Sequence, residues 1–130
     1  MVKWLDALLD LLYPPRCQIC HALISRREKP VCARCMDTLP EHDGADPEVA
    51  GASRCVATLY YENDVRESFH RYKFGGMDYY APLYGKWMAA TIRDKLADRY
   101  DLITWVPVSK KRRRQRGYDQ AYLLCQAAAR

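Results

Sequence analysis

The stretch C-Q-I-C-H-A-L-I-S-R-R-E-K-P-V-C-A-R-C, residues 17–35, decides how the first part of this chain folds. It contains two C-x-x-C pairs, Cys17 with Cys20 and Cys32 with Cys35, and 11 residues separate the pairs. Four thiolates complete the tetrahedral shell of Zn²⁺ without water, and a short hairpin brings two such pairs together. The spacing therefore predicts a closed, structural zinc site with four cysteine ligands.

The first pair, C-Q-I-C-H at residues 17–21, also matches the attachment signature of a c-type haem. Haem attachment would require export and would leave the second pair without a role. A redox C-x-x-C is disfavoured because such motifs open a helix that follows a strand, and neither pair does so. His21 then only follows the first pair rather than binding the metal, and we expect Cys55 and Cys125 in the core.

The N-terminus, M-V-K-W-L-D-A-L-L-D-L-L-Y-P-P, superficially resembles a signal peptide, but Asp6 and Asp10 interrupt its apolar residues. Its spacing predicts an amphipathic helix that Pro14 and Pro15 end. No stretch approaches the roughly 20 apolar residues of a membrane span. We therefore expect a cytoplasmic protein without a membrane span, in which reduced C-x-x-C pairs bind metal rather than form disulfides.

The composition of residues 41–53, rich in Pro, Gly, Ala and acids, is typical of a linker. It predicts an N-terminal helix and zinc ribbon over residues 1–40 and a second domain over residues 54–130. In that domain residues 55–62 alternate like a strand, and the spacing of Val65, Phe69 and Tyr72 predicts a helix that ends at Gly75.

The remainder of the second domain predicts an α/β fold. A longer helix is expected over about 79–99, and the apolar run D-L-I-T-W-V-P-V, residues 101–108, predicts a strand buried on both faces of a parallel sheet. A final helix is expected from about Tyr118. This order of elements indicates an α/β sheet that has only begun.

The basic segment V-P-V-S-K-K-R-R-R-Q-R-G-Y-D-Q-A, residues 106–121, lies between the last predicted strand and the last predicted helix. Open α/β sheets bind ligands at the carboxyl ends of their strands, and helix N-termini offer N–H groups to anions. Gly117 would allow close approach of the backbone to a ligand. A charge run is equally typical of a solvated loop or of a generic nucleic-acid patch, so these alternatives stay open. The six cations, with donors suited to phosphate, are Lys110, Lys111, Arg112, Arg113, Arg114 and Arg116.

Several motifs in order resemble the ComF family of competence-protein-F-like predicted phosphoribosyltransferases. They are L-Y-P-P-R-C-x-x-C, a second C-x-x-C, Y-K-F-G-G, V-P-V and the basic segment ending in R-G-Y-D-Q-A. The resemblance spans nearly the whole chain. It implies a zinc-binding segment followed by a type I phosphoribosyltransferase fold, whose parallel sheet binds phosphoribosyl diphosphate with Mg²⁺ above its strand ends.

The resemblance also implies where the ligand would bind. The loop from Pro107 to Gly117 would contact the diphosphate, and Lys73 in Y-K-F-G-G would face the same site. Relatives are tied to DNA uptake, which adds single-stranded DNA and DNA-uptake proteins as expected partners. The candidate phosphate-binding residues are Lys73, Lys110, Arg112, Arg113, Arg116 and Gly117.

The chain departs from the family pattern in several places. His21 and Met36 stand where the family often has glycine, and Tyr118 and Asp119 stand where Phe and Asn are usual. No D-D-x-x-T-T-G-like stretch is present, so we expect the N-terminal portion of a longer protein that does not catalyse phosphoribosyl transfer alone. Three functions stay open: a phosphoribosyltransferase-family protein, a zinc-ribbon accessory protein that binds nucleic acid, and a zinc-stabilised structural fragment.

Overall fold

The structure, a computed structural model, describes residues 9–25, 30–97 and 99–130, and these residues fold mainly into helices. Residues 9–12 are helical, as predicted, and the helix ends ahead of Pro14; the rest of the predicted N-terminal helix lies outside the described residues. The other elements, in chain order, are α1 (Ala33–Asp37), α2 (Asn63–Phe74), a 3₁₀ turn (Asp78–Tyr80), α3 (Ala81–Leu96), α4 (Lys110–Arg116) and α5 (Gln120–Ala128).

The predicted α/β fold with an incomplete phosphoribosyltransferase-like parallel sheet is wrong. Within residues 9–25, 30–97 and 99–130, strand-like pairing is limited to two isolated antiparallel bridges, Arg16 with Leu23 and Glu41 with Leu59. Residues 55–62 therefore form a single bridge instead of a strand. An apolar or alternating pattern reports burial, whereas a strand also needs a neighbour to accept its backbone hydrogen bonds.

The predicted strand at residues 101–108 is the clearest case. It joins no sheet in the described part of the chain, and it is largely exposed rather than buried on both faces. Leu102 is 80% exposed and Val106 is 85% exposed. The ring of Trp105 packs beside Tyr122 of α5, with 4.9 Å between the ring centroids. The run is thus a connection between α3 and α4 that leaves part of its apolar surface uncovered.

Helices α2 and α3 form where periodicity predicts them. The buried residues of α2, Val65, Ser68 and Tyr72, recur every three or four positions on one face. The helix ends at Gly75, whose N–H bonds the carbonyl of Arg71 at 2.7 Å. Helix α3 has Pro82 in its first turn and ends at Leu96, three residues earlier than predicted.

Helices α3 and α5 pack against each other at a glycine. A Cβ atom on Gly85 would lie 2.3 Å from the Cβ of Ala127, closer than real side chains approach. The absence of a side chain at Gly85 therefore sets the distance between the two helices. Beside this contact lies a buried cluster of Tyr72, Tyr80, Ala81 and Tyr84.

The cysteine segment packs directly against α2. Cys17, Ile19 and Cys35 share one buried cluster with Val65 of α2. Trp87 of α3 packs against both this cluster and the tyrosine cluster. The predicted division into residues 1–40 and 54–130 stays a prediction, but the two parts bury side chains against one another.

Residues 41–53, predicted as a linker, are anchored to their surroundings by polar contacts. The carboxylate of Asp46 pairs with Arg54 at 3.1 Å and with Lys95 of α3 at 3.3 Å. The ammonium of Lys95 also donates a hydrogen bond to the carbonyl of His42 at 3.3 Å. Because solvent screens these exposed or half-exposed pairs, each contributes little to stability.

Candidate functional site

The structure brings the four predicted metal ligands together. The Sγ atoms of Cys17, Cys20, Cys32 and Cys35 all lie within 4.8 Å of one another. Those of Cys20 and Cys32 are 3.9 Å apart, far longer than the roughly 2.05 Å of a disulfide. Four sulfurs each about 2.3 Å from Zn²⁺ lie roughly 3.8 Å apart in a tetrahedron. The cluster therefore fits a closed structural zinc site.

The two C-x-x-C pairs are built differently. The first pair spans a tight turn, in which the His21 N–H bonds the Cys17 carbonyl at 2.9 Å and His21 adopts a left-handed φ of 63°. The second pair opens α1, where the Met36 N–H bonds the Cys32 carbonyl at 3.0 Å. His21 and Met36 stand where the ComF family often has glycine, and their backbones differ. His21 adopts the left-handed conformation, whereas Met36 lies within helix α1.

Hydrogen bonds and burial change the pKa values of two of the four thiols in opposite directions. The backbone N–H of Cys32 points at the Sγ of Cys17 over 3.4 Å. Burial raises the pKa of the Cys20 thiol, but hydrogen bonds from the Ala22 backbone and from the neighbouring thiols and Arg34 outweigh it and lower the pKa to about 6. Burial and the neighbouring thiols raise the pKa of Cys35. The hydrogen bonds to Cys20 therefore favour its thiolate form.

Two basic residues beside the cluster have separate roles. A hydrogen bond with Cys20 raises the pKa of Arg34, so this guanidinium offsets part of the negative charge that four thiolates bring to Zn²⁺. Burial, with Arg71 and Arg16 nearby, lowers the pKa of His21, which favours a neutral imidazole. His21 does not belong to the ligand cluster found among the described residues.

The predicted basic loop is a helix, α4. Ser109 caps its N-terminus by accepting a hydrogen bond from the Arg112 N–H at 3.3 Å. Gly117, with φ of 83°, ends it through a hydrogen bond from its N–H to the Arg113 carbonyl at 2.9 Å. Gly117 thus has a structural reason to be glycine. Ser109 before the basic run and Gly117 after it are themselves a signal for the start and end of a helix.

The cations of α4 face solvent. Residues 110–114 are all exposed, and among residues 9–25, 30–97 and 99–130 no carboxylate forms an ion pair with any of them. Like charges three and four residues apart on a helix repel by a few tenths of a kcal/mol per pair. Binding an anion would relieve this repulsion.

Two of the predicted phosphate-binding residues, Lys73 and Arg116, each lie over an aromatic ring of α2 near its C-terminal end. The Arg116 guanidinium lies 4.6 Å from the Phe74 ring centroid and donates to the side-chain oxygen of Gln120 at 3.0 Å. The amide of Gln120 donates in turn to the carbonyl of Lys73 at 3.3 Å. The Lys73 ammonium lies 4.8 Å from the centroid of Phe69. Lys110, Arg112, Arg113 and Gly117 lie on α4 and at its end.

Asp119 is a structural residue that sequence reasoning missed. Its carboxylate caps α5 by accepting from the Tyr122 N–H at 3.1 Å, and it also accepts from the Val108 N–H at 3.2 Å. Asp119 therefore joins the segment before α4 to the helix after it. An Asp directly before a helical pattern is itself an N-cap signal, and Asn at this position would cap the helix in the same way.

Helix α2 connects the cysteine cluster with the basic helix. On one side Arg71 donates to the carbonyl of Ile19 at 2.5 Å, and the Ser68 hydroxyl donates to the carbonyl of Gln18. On the other side the Tyr72 hydroxyl donates to the carbonyl of Gln120 at 2.8 Å. Helix α2 therefore contacts both the turn between Cys17 and Cys20, called the cysteine turn, and the segment that follows α4.

The comparisons with known proteins bear on the cysteine segment. Residues 8–47 match a family model described as a double zinc ribbon domain. The matched range contains four cysteines, and these supply one cluster, enough for one Zn²⁺.

No curated protein and no solved structure matches the chain. No helix in the described residues is long and apolar enough to cross a membrane.

The four-cysteine cluster and the zinc-ribbon match support the predicted structural Zn²⁺, whereas nothing supports Mg²⁺. Over residues 8–47 the chain is similar to a double zinc ribbon domain whose four cysteines are placed to hold one zinc ion.

Proposed function

We propose that this chain is a zinc-stabilised protein that binds single-stranded nucleic acid through the basic helix α4. The observation that carries the proposal is the exposed basic run at residues 110–114, which has no carboxylate partner in the described part of the chain. Clustered Lys and Arg on one element is the electrostatic footprint of phosphate-backbone binding.

The zinc site has a supporting part in this function. Four cysteine ligands leave no open position on the metal, so Zn²⁺ there would hold the turn and α1 in place and would not activate water or substrate. Arg71 and Ser68 transmit that placement to α2. In turn α2 contacts Gln120, the first residue of α5, and Arg116, the last residue of the basic helix.

The test is the salt dependence of binding to a labelled oligothymidylate, followed by fluorescence anisotropy. Each phosphate contact on a single strand contributes about −0.7 to the slope of log K against log salt. The triple variant Arg112→Ala, Arg113→Ala, Arg114→Ala should therefore bind more weakly and lose up to about 2 units of slope.

The matched control removes three exposed cations elsewhere: Arg66→Ala, Lys86→Ala, Arg93→Ala. Its net charge equals that of the α4 variant, so a general charge effect would weaken both variants equally. Equal affinities and slopes for the two triple variants would overturn the assignment to α4. Helical content and zinc content of both proteins establish that they are folded.

Phosphoribosyl diphosphate is a second candidate ligand, as the ComF resemblance implies, and the same resemblance points to DNA uptake as the process it would serve. The observation that favours it is that the side chain of Gln120 bonds both the Arg116 guanidinium and the backbone carbonyl of Lys73. Such a ligand would place its anionic groups near both cations. Because the expected sheet is absent from the described residues, we propose binding only and derive no transfer reaction.

The experiment for this candidate is calorimetric titration with phosphoribosyl diphosphate, with and without Mg²⁺. Binding that Arg116→Ala abolishes would support this candidate, and the triple α4 variant would show whether Arg112 and Arg113 also contact the diphosphate, as the resemblance implies. Absence of heat with folded, zinc-loaded protein would refute it without affecting the nucleic-acid proposal.

A further inference from the structure

An apolar cavity lies between α2, α3, α5 and residues 58–61, on the face of α2 that carries Lys73. Its volume is about 330 Å³, within the range of small-ligand pockets. Aromatic rings supply much of its lining. The lining residues that matter here are Tyr61, Phe69, Tyr84, Trp87, Met88 and Leu124.

The rings around the cavity are arranged edge to face. Phe69 meets Tyr61 at 89° with 6.2 Å between centroids, and it meets Tyr84 at 77° with 5.3 Å. Tyr84 meets Trp87 at 75° with 5.8 Å. In an edge-to-face pair, the ring that presents its edge keeps its own faces free of its partner. Tyr61 is 58% exposed, so its ring also meets solvent.

Positive charge adjoins this aromatic cavity. Lys73 is one helical turn after Phe69 on α2, and its ammonium lies 4.8 Å from the centroid of that lining ring. Arg116 lies over Phe74 at the end of the same helix. An apolar slot with a cation beside one lining ring, and a second cation near the end of the same helix, complements a flat ring joined to an anionic group.

We propose that this cavity accepts one unstacked nucleobase of a bound single strand, while Lys73 and Arg116 contact the adjoining phosphates. The inference rests on the proposed nucleic-acid function and adds a base-binding site to it. The strand would run from the cavity past the C-terminal end of α2 toward α4. Bases in a duplex are stacked and paired, so the site would favour single strands.

The experiment compares an oligothymidylate with an abasic strand of the same length and charge. Stacking of one base on aromatic side chains contributes about 1–3 kcal/mol, which corresponds to roughly 5- to 150-fold in affinity. We expect the wild-type protein to bind the intact strand at least about 5-fold more tightly than the abasic strand. Both strands should show similar salt slopes, because their phosphates are the same.

Variants of Tyr61 test whether the preference for the intact strand arises in this cavity. Tyr61→Ala should remove most of the preference for the intact strand and leave abasic binding unchanged, whereas Tyr61→Phe should keep the preference. Tyr13→Ala is the matched control, because Tyr13 is 79% exposed and does not line this cavity. Zinc content and circular dichroism of each variant establish folding.

The outcomes separate this inference from the function on which it rests. Equal affinity for intact and abasic strands, lost in the triple α4 variant, would leave nucleic-acid binding standing and overturn the base site. A preference that survives Tyr61→Ala would also overturn the site. Absence of binding to either strand would refute the proposed function itself.

Discussion

The residue after each C-x-x-C pair shows how a side chain and a backbone conformation are matched. His21 has a left-handed φ of 63°, which costs a residue with a Cβ atom about 1–2 kcal/mol. The conformation is held on both sides: the N–H bonds the Cys17 carbonyl, and the His21 carbonyl accepts a hydrogen bond from Arg16 at 3.2 Å. Met36 avoids this cost by lying in α1.

Substitution of His21 should separate backbone strain from metal ligation. His21→Gly should retain one zinc ion per chain and should be as stable as wild type or up to about 1 kcal/mol more stable, because glycine adopts positive φ freely. His21→Val should lose about 1–2 kcal/mol, since a β-branched residue is disfavoured there. Zinc content by mass spectrometry and urea unfolding check both variants; a zinc-free His21→Gly protein would make His21 a ligand.

The carboxylate of Asp119 is a second single-residue determinant. Asp119→Ala should lower the free energy of unfolding by about 1–2 kcal/mol, because the α5 cap is lost together with the bond to the Val108 N–H. Asp119→Asn keeps one acceptor and should cost less. Urea unfolding measures both; equal losses for Ala and Asn would show that charge, rather than capping, is what Asp119 contributes.

At the scale of elements, α2 binds the cysteine turn through its side chains. Arg71→Met should reduce the free energy of unfolding by about 2 kcal/mol, because the Ile19 carbonyl loses a charged hydrogen-bond donor. It should also weaken zinc in competition with a chromogenic chelator. Arg66→Met on the exposed side of α2 is the control and should change neither quantity. Equal zinc affinity in both variants would contradict a role for α2 in holding the turn.

The contact between α3 and α5 depends on the size of one residue on each helix. Gly85→Ala should destabilise the protein by about 1–3 kcal/mol, because its Cβ would overlap Ala127. Adding Ala127→Gly should recover part of that loss by removing the opposing methyl group. Thermal unfolding of the single and double variants measures the coupling; additive losses would mean that the two residues do not meet.

For the whole molecule, zinc removal distinguishes one folding unit from two. Structural zinc contributes roughly 10 kcal/mol or more in small zinc domains, as much as the total stability of many proteins. Because Cys17 and Cys35 are buried together with Val65, chelation under reducing conditions should reduce helical content well beyond the five residues of α1. Circular dichroism measures the helical content before chelation, after chelation and after zinc is restored. Unchanged melting of α2–α5 would instead support separate units at 1–40 and 54–130.

The parts of this molecule that sequence predicted are those with local causes. The cysteine cluster follows from ligand chemistry and spacing, and α2 and α3 follow from the periodicity of residues such as Val65 and Tyr72. The sheet was wrong because strand pairing depends on distant partners, which apolar residues such as Leu102 and Val106 do not specify. Gly117 was predicted as a ligand-site residue and Asp119 only as a departure from the ComF pattern, although the two residues signal the end of α4 and the start of α5.

The uncovered apolar residues before α4 have a consequence for the behaviour of concentrated solutions. Leu102 and Val106 are exposed apolar side chains that favour association between molecules. Val106 is at most about 14 Å along the chain from Lys110, the first residue of the basic helix. Two molecules that meet through these residues must also bring their basic helices together. Low ionic strength therefore keeps them apart, and added salt screens the repulsion and promotes clustering. Salt should thus act in opposite directions on the two neighbouring surfaces: it would weaken the binding of anions to α4 and strengthen contacts through Leu102 and Val106.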